Sequence, residues 1–416
     1  MAGTAATEFS TQAKLERARA ASSLVAQLST EQKNDLLREI ANALEIHAPQ
    51  ILRANAQDIA SSGLSGSMRD RLLLTPERIR EMANAVRDVA ALPDPANELI
   101  DKWTRPNGLR IRKVRVPLGV VGIVYESRPN VTVDAAVLAL KAGNAVVLRG
   151  GKEAASSNQV LAEILAGVPG LPVGAIELLD SSTRDTVQQL IRARGVVDVV
   201  IPRGGPALIS HVIANAVVPV IETGAGNCHI FVDESADLAM AARIVLNAKT
   251  QRPSVCNAAE KLVVHSMIAS AFVPSIVKQL AAAGVELRGD EEACRLSSGI
   301  KPATNQDWGE EYLRLCMAIR IVTSLDDAIE HINRYSTKHS EAIITTDESQ
   351  AHKFLRLVDS AAVYWNASTR FTDGGEFGFG AEMGVSTQKL HCRGPFALKE
   401  LTSTKYQIIG SGQTRQ

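Results

Sequence analysis

From Pro117 to Ile221 the chain repeats a short, almost wholly apolar run followed by a stretch of helical spacing, and that alternation leaves few folds open. Residues 119–125, 145–148, 176–179, 196–201 and 217–221 are strand-length runs rich in β-branched residues, with helical stretches at 132–141, 156–165 and 185–193 between them. A strand apolar on both sides must be covered on both sides. Strand-helix-strand crossovers provide that cover, so the pattern predicts an α/β fold built on a doubly wound parallel sheet. Ligands of such sheets sit beyond the carboxyl ends of the strands, which directs attention to the loops that follow them.

A second α/β block follows residue 224, with strands expected at 229–232, 262–264, 319–322, 342–345 and 362–365 and helices at 238–248, 271–282, 326–333 and 349–358. Residues 289–310 read as a polar surface loop. The first hundred residues are helical in spacing, with helix starts at Ser29-Thr30-Glu31-Gln32 and Thr75-Pro76-Glu77. Residues 109–116 alternate apolar and basic side chains, as a half-exposed strand does, and residues 404–409 offer a partner strand. The expected organisation is a cofactor domain over 1–104 and 117–224, a catalytic domain over 225–395, and a small β arm from 105–116 and 396–416.

The 416 residues include 45 Lys plus Arg against 45 Asp plus Glu, and aromatics make up 4%. No basic stripe interleaved with aromatics is present, which argues against nucleic acid or a membrane surface and for a small-molecule ligand. Apolar stretches of about 18 residues are lacking, so no membrane span is expected. The 5 cysteines are odd in number and show neither C-x-x-C nor zinc-finger spacing, so no metal is expected and a reducing, cytoplasmic setting is.

Among them Cys256 stands out. It lies in Thr250-Gln251-Arg252-Pro253-Ser254-Val255-Cys256-Asn257, a loop feeding an apolar run, where Pro253 disfavours helix and Lys249 and Arg252 are cations suited to lowering a thiol pKa. Two loops after strands are also unusual: Arg149-Gly150-Gly151-Lys152 and Pro202-Arg203-Gly204-Gly205-Pro206. Each sets a cation beside two glycines, where backbone and a helix N-terminus can approach a phosphate, although neither is a G-x-G-x-x-G or P-loop signature and ordinary tight turns would read the same.

The segments Val116 to Gly122 with Tyr125-Glu126-Ser127-Arg128-Pro129-Asn130, Leu148 to Lys152, Ile201 to Gly205, Asn247 to Ser254, Asn366-Ala367-Ser368-Thr369-Arg370-Phe371-Thr372-Asp373-Gly374-Gly375 and His391-Cys392-Arg393-Gly394-Pro395 resemble the gamma-glutamyl phosphate reductases, also called glutamate-5-semialdehyde dehydrogenases, of the aldehyde dehydrogenase superfamily. The resemblance spans essentially the whole chain. It implies an aldehyde dehydrogenase-like fold: two doubly wound domains and an oligomerisation arm. It also implies NADPH-dependent reduction of L-glutamyl 5-phosphate to L-glutamate 5-semialdehyde and phosphate, the second step of proline biosynthesis from glutamate.

Carried over residue by residue, the resemblance makes Cys256 the nucleophile, Asn130 the oxyanion donor and Glu222 the counterpart of the general base of hydrolytic relatives. Lys152 falls at the adenosine ribose or its 2'-phosphate, Gly204 and Gly205 on the pyrophosphate loop and Glu311 at the nicotinamide ribose; Arg149 and Gly150 join them as expected NADP contacts because Arg149 and Lys152 place two positive charges after one strand, suited to a 2'-phosphate. The substrate carries a phosphate and an α-carboxylate, so Arg128, Arg252 and Arg370 are candidates to bind it, with Ser368 and Thr369 beside them. A homodimer or a multiple of one is expected, with glutamate 5-kinase as the partner the resemblance suggests; a fused kinase domain is not expected at this length. Two other readings stay open: an aldehyde dehydrogenase, hydrolytic or acylating, on another substrate, and a catalytically silent binding protein on the same fold.

Overall fold

Helix-start chemistry is realised where the sequence placed it. Ser29 and Gln32 form a reciprocal capping box on Thr30–Ile46, and Thr75 caps Pro76–Ala91 with proline in the first turn. The computed structural model describes residues 10–415. These residues divide into two compact units, one of 10–222, 379–384 and 396–415, the other of 223–378 and 385–395.

In the first unit β1 (Leu99–Thr104) and β2 (Arg110–Pro117) form an antiparallel pair. β3 (Val120–Tyr125), β4 (Ala145–Arg149), β5 (Ile176–Leu178) and β6 (Val199–Arg203) form a parallel sheet in the order β5-β4-β3-β6. Val120, Val124, Ala145, Val147 and Leu190 fill one side of it, joined by Leu15 and Ala18 of helix Thr11–Val25. The strand expected at 217–221 is reduced to a single bridge, Val200 to Val220. Pro219 accepts from Val200 N but has no N–H to return, so the ladder stops there.

In the second unit β7 (Cys228–Val232), β8 (Ala259–His265), β9 (Glu286–Gly289), β10 (Lys301–Pro302), β11 (Cys316–Val322), β12 (Ser340–Ile344) and β13 (Ala362–Trp365) form a parallel sheet in the order β10-β9-β11-β8-β7-β12-β13. Ile230, Leu262, Val264 and Ile319 pack on one side and Phe231, Val263, Ile343 and Phe354 on the other, the two-sided burial that apolar strands demand. The stretch 289–310 is more ordered than a loop. It holds the end of β9, helix Glu291–Leu296 capped by Asp290, β10, and helix Asn305–Gly309 with a Thr304–Asp307 capping box. Polar capping residues gave that stretch its loop-like composition.

β14 (Gly384–Ser386) and β15 (Gly394–Phe396) make a two-stranded sheet, and β16 (Thr402–Ile409) pairs antiparallel with β2 from Thr402–Pro117 to Ile409–Arg110. The arm is therefore three-stranded, β1-β2-β16, and begins at Leu99, earlier than residue 105. β1 is exposed along its length, and Tyr406, Ile408 and Ile409 of β16 are exposed apolar side chains.

Candidate active site

In the second unit the thiol loop precedes β8, and the segments gathered around it precede β7, β11 and β12, so this site lies at the amino edge of its sheet. The thiol loop thus feeds an apolar strand, as its sequence indicates. Helix Leu238–Thr250 ends at Gln251, and turns carry the chain through Cys256, which is partly exposed, to Ala259. The backbone of Cys256 is clamped. A Cβ on Gly226 would lie 1.4 Å from the Cys256 carbonyl oxygen, so only glycine permits this approach, and the Cys228 thiol donates to the same oxygen at 3.2 Å. Burial holds the pKa of Cys228 well above its ordinary value, so this thiol keeps its proton and remains a donor.

Glu311 reaches the same segment, its Oε1 accepting from Gly226 N at 2.6 Å, and burial raises its pKa. The Arg370 guanidinium donates to Gln251 Oε1 at 2.8 Å; burial and the like charge of Arg252 push its pKa down, and Cys256 is among the groups it senses. Arg252 is exposed beside it. Arg370 thus lies within electrostatic reach of both the thiol and Arg252, which the thiol loop itself carries. Lys249 is not a third such cation: its ammonium is fully buried against Glu260 at 2.9 Å, so its charge is already answered.

Ser368 and Thr369 also differ from expectation. Both are buried; Ser368 Oγ accepts from Arg370 N, and Thr369 Oγ1 donates to the Asn257 carbonyl at 2.8 Å. Asn257 Nδ2 in turn donates to the Arg370 and Thr372 carbonyls. These hydroxyls fasten the 368–372 segment to the thiol loop and are not presented to a ligand.

The first unit gathers the remaining residues at the carboxyl ends of β3, β4 and β6. Asn130 lies in the first turn of helix Pro129–Lys141, and its Nδ2 donates to Asp134 Oδ2 at 2.9 Å. One amide hydrogen is thereby anchored, which fixes the orientation of the amide. Burial pushes the Asp134 pKa up to about 6. Arg128 is exposed at the start of the same helix, and Glu222 is partly buried at the last residue of the unit's first segment.

After β4, Arg149 donates to the carbonyls of Gly150, Ser181 and Thr183 and to the Thr186 hydroxyl, so it braces the 181–186 loop. Those bonds orient the guanidinium at the carboxyl end of β4, beside the loop that carries Lys152. Lys152, three residues on, is exposed. Gly150 is fixed by crowding: a Cβ there would meet Asn158 Nδ2 at 2.2 Å. That amide nitrogen is buried and without a hydrogen-bond partner. At Gly204–Gly205 the site already holds an anion. Glu126 Oε2 accepts from Gly205 N at 2.9 Å at the N-terminus of helix Pro206–Asn215.

An exposed lysine and a helix N-terminus that favours negative charge, open to a second anion once Glu126 gives up Gly205 N, fit a dinucleotide's phosphates. Sequence reasoning missed Cys228, Asp134 and Glu126. Only Asp134 carried a local signal, four residues after Asn130 on a helix that Pro129 announces.

Residues 2–308 match the aldehyde dehydrogenase family. Over 409 residues the chain is 66% identical to the gamma-glutamyl phosphate reductase of Koribacter versatilis, covering 98% of this chain and 100% of the relative. The Moorella thermoacetica enzyme of the same name is 57% identical over 411 residues, 97% of this chain and 98% of the relative. The crystal structure of gamma-glutamyl phosphate reductase from Thermotoga maritima superposes with a TM-score of 0.96 at 49% identity, covering 98% of this chain and 100% of that one. The fold recurs in an acetylating aldehyde dehydrogenase from Geobacillus thermoglucosidasius, TM-score 0.69 at 18% identity, over 98% of this chain and 97% of that one. By its sequence along nearly its whole length, and by the fold that carries the Cys256 loop, this chain belongs to the aldehyde dehydrogenase family and stands there with the gamma-glutamyl phosphate reductases.

Proposed function

We propose that this enzyme reduces L-glutamyl 5-phosphate to L-glutamate 5-semialdehyde, using NADPH and a thioacyl bond to Cys256, as the second step in making proline from glutamate. The observation that carries the reading is the pairing of a partly exposed thiol, its carbonyl clamped by Gly226 and Cys228, with the guanidiniums of Arg252 and Arg370. The relatives' name supplies the substrate class.

In this reading the Cys256 thiolate attacks the acyl carbon, the C–O bond to phosphate breaks, and phosphate leaves with the bonding pair. Arg252 and Arg370 neutralise the departing dianion and hold it for the attack. The negative oxygen of the tetrahedral intermediate takes the Cys256 backbone N–H, and the family resemblance assigns the second donor to Asn130, whose amide Asp134 anchors. NADPH, when bound, would supply a hydride to the thioester carbon, after which the C–S bond breaks, the aldehyde is released and the Cys256 thiolate is restored. Lys152 would hold the 2'-phosphate and Glu311 the nicotinamide ribose. Glu222 handles the proton of Cys256, since an acyl phosphate needs no activated water. The molecule works as a cytoplasmic homodimer or multiple of one, assembled through the arm β1-β2-β16, and glutamate 5-kinase supplies its substrate.

The test is consumption of NADPH with freshly generated glutamyl phosphate. Turnover must need that substrate, and the reverse oxidation of glutamate semialdehyde must need phosphate or arsenate. Cys256→Ala must abolish turnover while leaving dinucleotide binding in place. Oxidation with water alone at an equal rate would discard the acyl-phosphate reading.

A further inference from the structure

Away from the thiol loop, the second unit holds a cleft of about 310 Å³ whose lining includes Arg320, Asp327, Glu330, His331, Arg334 and Tyr335. A ladder of side chains forms its wall. The Arg320 guanidinium lies 5.6 Å from the Trp308 ring, Trp308 meets His331 edge-on at 5.4 Å, His331 meets Tyr335 at 4.8 Å, and Arg334 lies 5.3 Å from the Tyr335 ring. Stacking orients a guanidinium without neutralising it and leaves its N–H edges for a ligand. Arg320 Nε is buried with no hydrogen-bond partner, and so is Nε2 of His331, which is only 6% exposed. Unanswered polar atoms at the wall of a polar cleft point to a missing ligand.

The charges around the cleft balance, with two guanidiniums from Arg320 and Arg334 and two carboxylates from Asp327 and Glu330. Burial and the neighbouring positive groups push the His331 pKa down to about 3, so the ring stays neutral. A simple anion would meet the carboxylates and a simple cation the guanidiniums. A compact molecule bearing both charges satisfies all four groups.

The cleft also shares a fastening with the thiol site. Asn227 Nδ2 donates to the carbonyls of Trp308 and Tyr335, each at 2.8 Å, and Asn227 lies between Gly226 and Cys228, the two residues that clamp Cys256. We propose that this cleft is a second, non-catalytic site for a small α-amino acid, with its carboxylate on Arg320 and Arg334 and its ammonium toward Asp327 and Glu330, coupled to the Cys256 loop through Asn227. The inference goes beyond the reductase reading and does not depend on it.

Titration calorimetry of the full chain with L-alanine tests it, against acetate, methylammonium and inorganic phosphate. L-alanine is expected to bind with a Kd of about 1 mM or tighter, and each control at least about 10-fold more weakly. The exposed-helix variants Arg334→Gln and Glu330→Gln each weaken L-alanine at least about 10-fold. Saturating L-alanine changes the rate at which iodoacetamide alkylates Cys256, followed by peptide mass, by at least about 3-fold. The proposal is overturned if L-alanine does not bind, if phosphate or acetate binds as well, if neither variant weakens it, which would put the ligand elsewhere, or if alkylation of Cys256 is unchanged. No readout uses turnover, so failure of the reductase reading would leave these outcomes intact.

Discussion

The Cys228 thiol donates to the carbonyl oxygen of Cys256 at 3.2 Å, so one cysteine fixes the backbone from which the other presents its sulfur. Removing that donor costs about 1 kcal/mol of positioning, or about 5-fold in rate. Cys228→Ala should lower kcat by that factor with KM for the dinucleotide unchanged, whereas Cys228→Ser, which keeps a donor, should recover most of it. Steady-state kinetics of both variants settle the point; equal rates would show that the contact is only packing.

Lys152 is exposed, whereas Arg149 is braced against the 181–186 loop, so a contribution of Lys152 to 2'-phosphate binding can be read separately. A charged hydrogen bond is worth about 1.5 to 3 kcal/mol, so Lys152→Ala should raise KM for NADPH by about 10-fold or more and KM for NADH by less than about 2-fold. An equal rise for both cofactors would separate this lysine from phosphate recognition.

Asp134 gives a pH signature. Its folded pKa, pushed up to about 6, lies above the usual carboxylate value, so the native state binds its proton more tightly than the unfolded chain does. Below about pH 4 both states are protonated and no cost arises. Stability is then lost as pH rises from about 4 to 6, where the unfolded chain ionises first, and the full cost persists above. Because the residue keeps some solvent access, that cost is on the order of 1 to 2 kcal/mol. Asp134→Asn, which keeps an acceptor for Asn130, should gain that much stability over the parent at pH 7 and almost none at pH 4. Denaturant titrations at the two pH values measure it, and a gain that does not vary with pH would refute the assignment.

The arm predicts an assembly. Deleting residues 402–416 strips β16 from β2 and opens an edge along eight paired positions. Light scattering should find the truncated chain monomeric, with most activity lost. An intact dimer, or a fully active monomer, would show that the tail is not the assembly element.

Much of this was legible in the chain. The strands from Val120 and from Cys228 onward announce themselves because parallel strands buried on both sides must be continuously apolar, and Cys256 stands out because proline and polar residues flank it. What escaped was decided by tertiary contacts. The four acceptors of Arg149, the burial of Lys249 against Glu260 and the bond from Thr369 to the Asn257 carbonyl all depend on residues that the local sequence does not connect. Pairings far apart in sequence leave no local trace. The 368–372 segment, which follows β13, was placed against the thiol loop only by its bonds to Asn257.

The Glu126 carboxylate seated on Gly205 means that this helix N-terminus carries its own counter-ion. A phosphate that bound there would have to displace this carboxylate to reach the same N–H, leaving the net charge of the spot little changed. Attraction at long range would be muted accordingly, and the displaced side chain would enter the energetics of association at that loop.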